Sequence, residues 1–582
     1  MQEYLILISI GPVQDFIASA RKLRDLWFGS YLLSELSKVV ARTLNENGAE
    51  LIFPAISEPS EVAKDSELIV ANKILAKTTT PPNELIKEAK DSWQKAQIDF
   101  ALIALDKIKQ IKQIKINDEL YKKQIGDSGE FFASWVELTD SYQESKDKVE
   151  KLLAGRKNLR AFSASSWDGS GLLKSSLDGA RETVFIGKPK DIRGLIKKNE
   201  YLDTLGCIKR FYPLSDKRNI KYFDDLSDIA IIPYLKKIGS SEKSKKQFAE
   251  YESYFISRDD GLRSERTKKF RDIDVKIISD FLFPNEQDLD HLPKGAWQSY
   301  KKLISKDFAG EPPKYSCILV GDGDKMGVAL DNVASFDGHQ AISRQLNKFA
   351  NEVQTLIEKH DGSLIYAGGD DVMAYLPLHK VIKCSNAIRI LFSKNMTSVF
   401  DKLNIKNLEV PTFSIGVAVV HHSMPLDKAL NLARDAEKVA KSEGGRNAFA
   451  IIQSKRSGND ITIYGKWDDA GGKLGLADRL LKMVKLYNSD DKSLSHTLGY
   501  QLRQAIIESG DEIKFSLSDK KLVPENAAAV SVLRIFEQKK GSDDLKVLLD
   551  GRSSIKRLSD ELVVARQLAQ IMKMANGQEK NR

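Results

Sequence analysis

Two stretches decide how this chain is read: Ile318-Leu319-Val320-Gly321-Asp322-Gly323-Asp324-Lys325-Met326-Gly327, and Leu364-Ile365-Tyr366-Ala367-Gly368-Gly369-Asp370-Asp371-Val372-Met373-Ala374. In the first, an apolar run of strand type ends in a carboxylate. In the second, two apolar runs flank a tight Gly-Gly-Asp-Asp turn, where Gly368 and Gly369 permit a change of backbone sign and close approach to a phosphate. Outward from these, the region after Pro312-Pro313 has a regular pattern. It predicts strand 315–321, helix 340–358, strands 363–367 and 372–376, helix 379–403, strand 412–420, helix 426–441 and strand 447–452. A β-α-β-β-α-β order with an appended α-β is that of an α+β, ferredoxin-like palm, helices layered on an antiparallel sheet.

In that arrangement strands 315–321 and 363–367 are expected side by side, bringing Asp322 near Asp370 and Asp371. Carboxylates converging at one sheet edge repel unless cations lie between them, and hard oxygen ligands select Mg²⁺ or Mn²⁺. Such metals activate a ribose hydroxyl and stabilise charge on a transferring phosphoryl group. A lone Gly-Gly-Asp-Asp also suits an ordinary hairpin; the Asp-Gly-Asp one helix upstream is what turns the reading towards chemistry. A third element, Ala440-Lys441-Ser442-Glu443-Gly444-Gly445-Arg446-Asn447, ends a helix and enters a strand. Lys441 and Arg446 offer two cations at a glycine-rich turn suited to a triphosphate tail, although the same residues serve as plain helix capping.

The 582 residues predict about three to five domains. A hydrophobic fraction of 42% with 29% charged residues is that of a globular protein, and the formal net charge of +9 permits a nucleic-acid or nucleotide partner without demanding one. No run approaches the length of a membrane span, and Glu3 stands where a signal peptide carries basic residues, so a cytoplasmic protein with no membrane partner is expected. Cys207, Cys317 and Cys384 lie far apart with no Cys-x-x-Cys, which argues against disulfides and paired thiolate zinc ligands and predicts buried thiols. Tyr4–Ile10 reads as a strand, followed by a helix to about Leu44. Leu51-Ile52-Phe53 reads as a second strand, and residues 60–155 as mostly helical and lysine-rich. Leu235–Lys276, with its Lys and Arg clusters, reads as a helical connecting region, and everything beyond Ser457 as α-helical. The expected domains are therefore a first palm with a helical insertion (1–205), a helical connecting domain (206–310), a catalytic palm (311–456) and a C-terminal helical domain (457–582).

Together the acidic motifs resemble the GGDEF and palm nucleotide-cyclase group. The segment Ile10-Gly11-Pro12-Val13-Gln14-Asp15-Phe16-Ile17-Ala18-Ser19-Ala20-Arg21-Lys22, continuing through Asp25 to Ser34, looks like the N-terminal signature of the large subunit of the type III-B CRISPR effector, the Cmr complex. Arg156–Phe162 and Lys174–Gly179 look like further segments of that family. The resemblance implies two palms, the first degenerate, since Ser9-Ile10-Gly11 stands where the second has Asp322. It implies two ATP molecules bound across them, with the 3′-hydroxyl of one attacking the α-phosphate of the other to give a cyclic oligoadenylate in antiviral defence. It further implies other Cmr subunits, crRNA and target RNA as partners. On it, Asp322 and Asp371 are the principal metal ligands, with Asp370 alongside and Asp324 auxiliary; Gly368, Gly369, Lys441 and Arg446 contact the nucleotide. Two departures stand out. The palm signature begins at residue 4, leaving no room for a preceding His-Asp nuclease domain, and His360-Asp361 reads as a turn. Only Cys207 stands where relatives carry a cysteine zinc site, so zinc is not expected. Two other readings share the motifs: the same chemistry joining AMP to S-adenosylmethionine, and a silent scaffold for the RNA duplex, against which the intact acidic motifs argue.

Overall fold

The computed structural model describes residues 2–126, 129–159, 171–190, 192, 195–215, 226–256, 268–270, 273–275, 282–283, 293–333, 335–405, 408–456, 458–468, 474–489, 494–509, 513, 515–518, 521–538 and 555–576. Arg160, Ala161 and Phe162 of the family-like segment, and Arg266 and Thr267 of the basic linker, lie outside them. The opening apolar run forms β1 (Tyr4–Gly11), followed by the short α1 (Gln14–Ala18) and the long α2 (Leu23–Glu46). Then come β2 (Glu50–Phe53), β3 (Lys73–Thr78), α3 (Pro82–Lys109), α4 (Asp118–Gly126), β4 (Glu130–Glu137) and α5 (Tyr142–Asn158). The sheet order is β2-β3-β1-β4, with β1 antiparallel to both neighbours. β1 is apolar at nearly every position because both its faces are covered. Ile6, Ile8 and Ile10 join the core with α2 and α3, while Leu5 and Leu7 join Val149 and Leu153 of α5. Residues 60–155 therefore hold two strands, β3 and β4, in a stretch whose sequence pattern predicts helix, and these complete the first ferredoxin-like palm.

The connecting region contains α6 (Thr204–Phe211), α7 (Leu226–Gly239), α8 (Glu242–Ile256), a short hairpin of β5 (Lys268–Phe270) and β6 (Ile273–Val275), and α9 (Ala296–Leu303). Arg210 of α6 is buried against α2, its Nε donating to Asp25 Oδ1 at 2.7 Å and its Nη2 to Glu200 Oε1 at 3.1 Å. A buried guanidinium needs such partners, since one left alone costs several kcal/mol, on the order of 3–5. Asp25 of the N-terminal signature is thereby committed to structure. Cys207, Cys317 and Cys384 are all buried free thiols, as expected.

The second palm follows its predicted pattern closely: β7 (Tyr315–Gly323), α10 (Met326–Asn332), α11 (Phe336–Lys359), β8 (Ser363–Gly368), β9 (Asp371–Pro377), α12 (Val381–Lys402), β10 (Phe413–His421), α13 (Leu426–Lys441) and β11 (Ala448–Gln453). His360-Asp361 is a turn between α11 and β8, with Asp361 in the left-handed region at φ 59° and ion-paired to Lys236. The sheet order is β12-β11-β10-β7-β9-β8, where β12 is Ile461–Lys466. Two expectations are corrected. β8 is the edge strand and pairs only with β9, so β7 lies beside β9 and β10 rather than beside β8. Beyond Ser457 the chain first adds β12 antiparallel to β11, and later a hairpin of β13 (Phe515–Ser518) and β14 (Lys521–Pro524), among helices α14 (Leu476–Tyr487), α15 (Leu498–Ser509), α16 (Ala527–Glu537) and α17 (Ile555–Ala575).

In both palms the strand order, taken in chain sequence within the β-α-β-β-α-β unit, is second-third-first-fourth. The palms are joined through α11, which lies along β2: Gln340 Nε2 donates to Leu51 O at 2.8 Å and the Ala55 N–H to Ser343 Oγ at 2.8 Å. Among the described residues no helix is long and apolar enough to cross a membrane.

Candidate active site

The register of β7 with β9 runs to the pair Gly321↔Val372. One further step of this antiparallel ladder sets Asp322 opposite Asp371, the first residue of β9. Opposed residues project to the same face, and here that face carries Ile318, Val320, Met373 and Tyr375 towards α13 and α7, whereas Cys317 and Leu319 point to α11 and α12. The acids therefore meet on adjacent strands, but the strand beside β7 is β9. Between β8 and β9 the turn is made by Gly369 in the left-handed region at φ 65° and by Asp370. Asp370 leans on Gly323: a Cβ there would fall 2.8 Å from Asp370 Cβ and 2.9 Å from its Oδ2. Gly323 thus makes room for the Asp370 side chain, and Gly368 for the Tyr366 ring.

From the other side α13 ends over this cluster. Lys441, its last residue, is ion-paired with Asp322 and with Glu437 Oε1, the latter at 2.9 Å. Arg446 follows in the turn to β11 at φ 61°, its side chain exposed and its carbonyl accepting from Lys466 Nζ at 2.7 Å. Asp324 is engaged differently from the other acids. It is 2% exposed and accepts hydrogen bonds from Thr412 Oγ1 (2.8 Å), Ser414 Oγ (2.8 Å) and the main-chain N–H of Asn447 (2.9 Å). Its oxygens are spoken for by these donors, so its place is that of a strut under the strand ends.

The electrostatics record the crowding. Burial, then the charge of Asp371, pushes Asp370 up to about 7. Asp371 keeps solvent access at the start of β9, yet the protein packed around it pushes it up to about 6. Glu437 is pushed up to about 7 by burial and by the Asp371 and Asp324 carboxylates. Burial, then Arg446, holds the Lys441 ammonium below its ordinary value. Clustered carboxylates that resist ionisation are groups a cation would relieve. Among the described residues no three His, Cys, Asp or Glu side chains already stand together as a metal-holding group. Mg²⁺ binds through one or two carboxylates, with water and substrate phosphates completing its shell. Asp322 and Asp371, with Asp370 beside them, are the donor set that fits.

At the corresponding place in the first palm, the first residue of its third strand is Lys73, opposite Ser9. A hydroxyl and an ammonium stand where the second palm has two carboxylates, so that palm has no acidic pair of its own at this position. Sequence reasoning missed Glu437, Thr412, Ser414 and Lys466. Only Glu437 carried a local signal, its i, i+4 spacing to Lys441.

Residues 315–450 match the family model described as Cas10/Cmr2, second palm domain, and residues 5–122 match that of the CRISPR-associated protein Cmr2, N-terminal. The CRISPR system Cmr subunit Cmr2 of Pyrococcus furiosus is 27% identical over 80% of this chain and 63% of its own length, so the chain spans less than two thirds of that relative. Among solved structures, a chain of the type III-B Cmr-beta complex in the apo state is similar with a TM-score of 0.58 at 14% identity, covering 93% of this chain and 82% of that one. The same complex bound to cognate target RNA gives a TM-score of 0.56 at 15% identity, covering 93% and 83%. At such identities the likeness is one of fold.

Proposed function

Because the chain belongs to the Cas10/Cmr2 family of type III CRISPR effector large subunits, we propose that its second palm condenses ATP into cyclic oligoadenylate when the assembled Cmr complex, holding its crRNA, captures target RNA. The observation that carries this reading is the placing of Asp322 and Asp371 opposite one another on one sheet face, with Lys441 above them at the end of α13. Mg²⁺ or Mn²⁺ held by Asp322 and Asp371, with Asp370 alongside, would acidify the attacking 3′-hydroxyl and stabilise charge on the α-phosphate. In each step the 3′-oxygen forms a bond to the α-phosphorus of a second nucleotide, the bond from that phosphorus to the bridging oxygen breaks, and pyrophosphate leaves. The hydroxyl proton passes to solvent.

The protein's own residues place the reactants. Lys441 and Arg446 face the triphosphate as cations, Gly368 and Gly369 keep the turn free of side chains where phosphate oxygens approach, and Asp324 braces the strand ends. With Ser9 and Lys73 where acids would be needed, the first palm serves to bind a nucleotide, not to hold metal. Target RNA as a partner is suggested by the Cmr-beta complex solved bound to it, and its role as activator is part of the proposal. The test is to incubate the assembled complex with ATP and Mg²⁺, with and without target RNA and S-adenosylmethionine, and to resolve the products by mass. Cyclic oligoadenylate that depends on target RNA is expected. An adduct of AMP with S-adenosylmethionine would replace the acceptor while keeping the site, and no nucleotide product under any condition would leave only a scaffold.

A further inference from the structure

Helix α13 sits low on the sheet at one turn. Gly416 of β10 faces it, and a Cβ there would lie 1.9 Å from Glu437 N and 2.3 Å from Ala436 C, so only glycine lets the helix backbone come this close. Small residues extend the seat on both sides: Ala436 and Ala440 on the helix, Ala448 and Ala450 on β11, all fully buried. Glu437 and Lys441, one turn apart, therefore project from a fixed backbone over the sheet end that carries Asp322. Lys441 bridges the two acids, with Glu437 on the N-terminal side of an i, i+4 pair, the favourable order on a helix. Stability alone gives no reason for an acid at 437. Its side chain is only 15% exposed and it faces the like charges of Asp371 and Asp324, so any gain from the ion pair is offset by repulsion and lost hydration.

Resting on the nucleotidyl-transfer reading, we propose that Glu437 is a positioning residue that holds the Lys441 ammonium over the end of β7 for a nucleotide triphosphate. An ammonium has three N–H donors. In the structure Asp322 and Glu437 each engage Lys441. A divalent cation held by Asp322 would leave the Lys441 donor now paired with that carboxylate free to face the terminal phosphates. The Glu437 contact then keeps Lys441 from swinging into solvent. Gly416 sets the height of both side chains, so the device is built into the close packing of α13.

The test uses the assembled complex carrying Glu437→Gln, Lys441→Ala or both, and reads equilibrium binding of ATP with Mg²⁺ beside steady-state condensation. Glu437→Gln is expected to weaken binding and raise KM about tenfold while kcat falls less than about threefold. Lys441→Ala is expected to weaken binding further, and the double variant to be no worse than Lys441→Ala, because Glu437 acts only through the lysine. Additive losses in the double variant, or wild-type binding by Glu437→Gln, would overturn the proposal. Should Glu437→Gln lower the melting temperature, Glu437→Asp, which keeps the charge one methylene further back, carries the same test with an intermediate loss expected. Wild-type complex that binds ATP but forms no condensation product would count against the nucleotidyl-transfer reading, and the binding cycle would still decide the role of Glu437.

Discussion

The main-chain N–H of Asn447 donates to the carboxylate of Asp324 at 2.9 Å, tying the end of β7 to the turn that carries Arg446. Because Arg446 and Asn447 both have positive φ, at 61° and 41°, that turn needs an outside partner to hold it. Asp324→Ala would leave the Asn447 N–H and two hydroxyls without their acceptor in a buried place. It is expected to cost about 1–3 kcal/mol of stability. Denaturant unfolding should show this loss, whereas Asp322→Ala, which removes a partly exposed acid, should leave the midpoint within experimental scatter. Equal stability of the two variants would remove Asp324 from its role as a strut.

The acids of the β8–β9 turn are expected to matter for chemistry far more than for assembly. The double variant Asp370→Ala, Asp371→Ala should lose nucleotide condensation by at least about a hundredfold, the scale seen when transition-state charge loses its partner. Complex assembly and RNA binding should persist, because both side chains stand at the sheet end, outside the apolar cores. Size-exclusion chromatography with RNA gel shifts checks the second half, and full product formation by the double variant would sink the assignment of these residues.

Gly416→Ala should displace α13 even though it adds a single methyl group. The new Cβ meets helix backbone, not a flexible side chain, so relief requires the helix to rise. The expected cost is about 1–3 kcal/mol. Lys441 and Glu437 would rise with the helix, so nucleotide affinity should fall along with the melting temperature. A melting shift without an affinity loss would show that the height of α13 does not matter to the site.

Much of the second palm was legible because its elements have clear periods. Helix 426–441 is predicted to the residue, and Leu426, Ala429, Leu430, Ala433 and Ala436, at helical spacing along it, are all buried. Strand adjacency was not legible, since whether β7 lies beside β8 or β9 is a long-range choice that periodicity does not encode. In the first palm β3 is a six-residue run, Lys73–Thr78, with Lys at positions 73 and 77, and the surrounding lysine-rich helices hid it. β4 had the better signal in Phe131, Phe132, Trp135 and Val136 but lay in the same stretch. In the Asp-Gly-Asp segment, Asp324 is set below Asp322 by resemblance alone, since spacing by itself does not tell the two acids apart. The physical reason for the difference lies in the side-chain partners of Asp324, Thr412 and Ser414, which are far away in sequence.

The acidic site also fixes how the metal-free protein responds to pH. Asp370 is held at about 7 and Asp371 at about 6, both above the ordinary carboxylate value of 3.8 that an unfolded chain would show. Between those values the folded state keeps protons that the unfolded state has released. The stabilising contribution is therefore fully present below about pH 4 and is lost as pH rises through 6 and 7. Solvent at Asp371 screens part of the effect, so the net change is expected to be about 1–2 kcal/mol, well under the roughly 4 kcal/mol that a three-unit shift would give unscreened. In chelator, Asp370→Asn should match the wild type below about pH 4 and melt higher than it at pH 8, because the amide has no charge to suppress. Adding Mg²⁺ at pH 8 should raise the wild-type melting temperature and narrow that gap, since a cation offsets the repulsion the amide removes. A metal-free wild type whose melting temperature does not fall relative to Asp370→Asn between pH 5 and pH 8 would show that these carboxylates are not in electrostatic conflict, and the case for a cation between them would go with it.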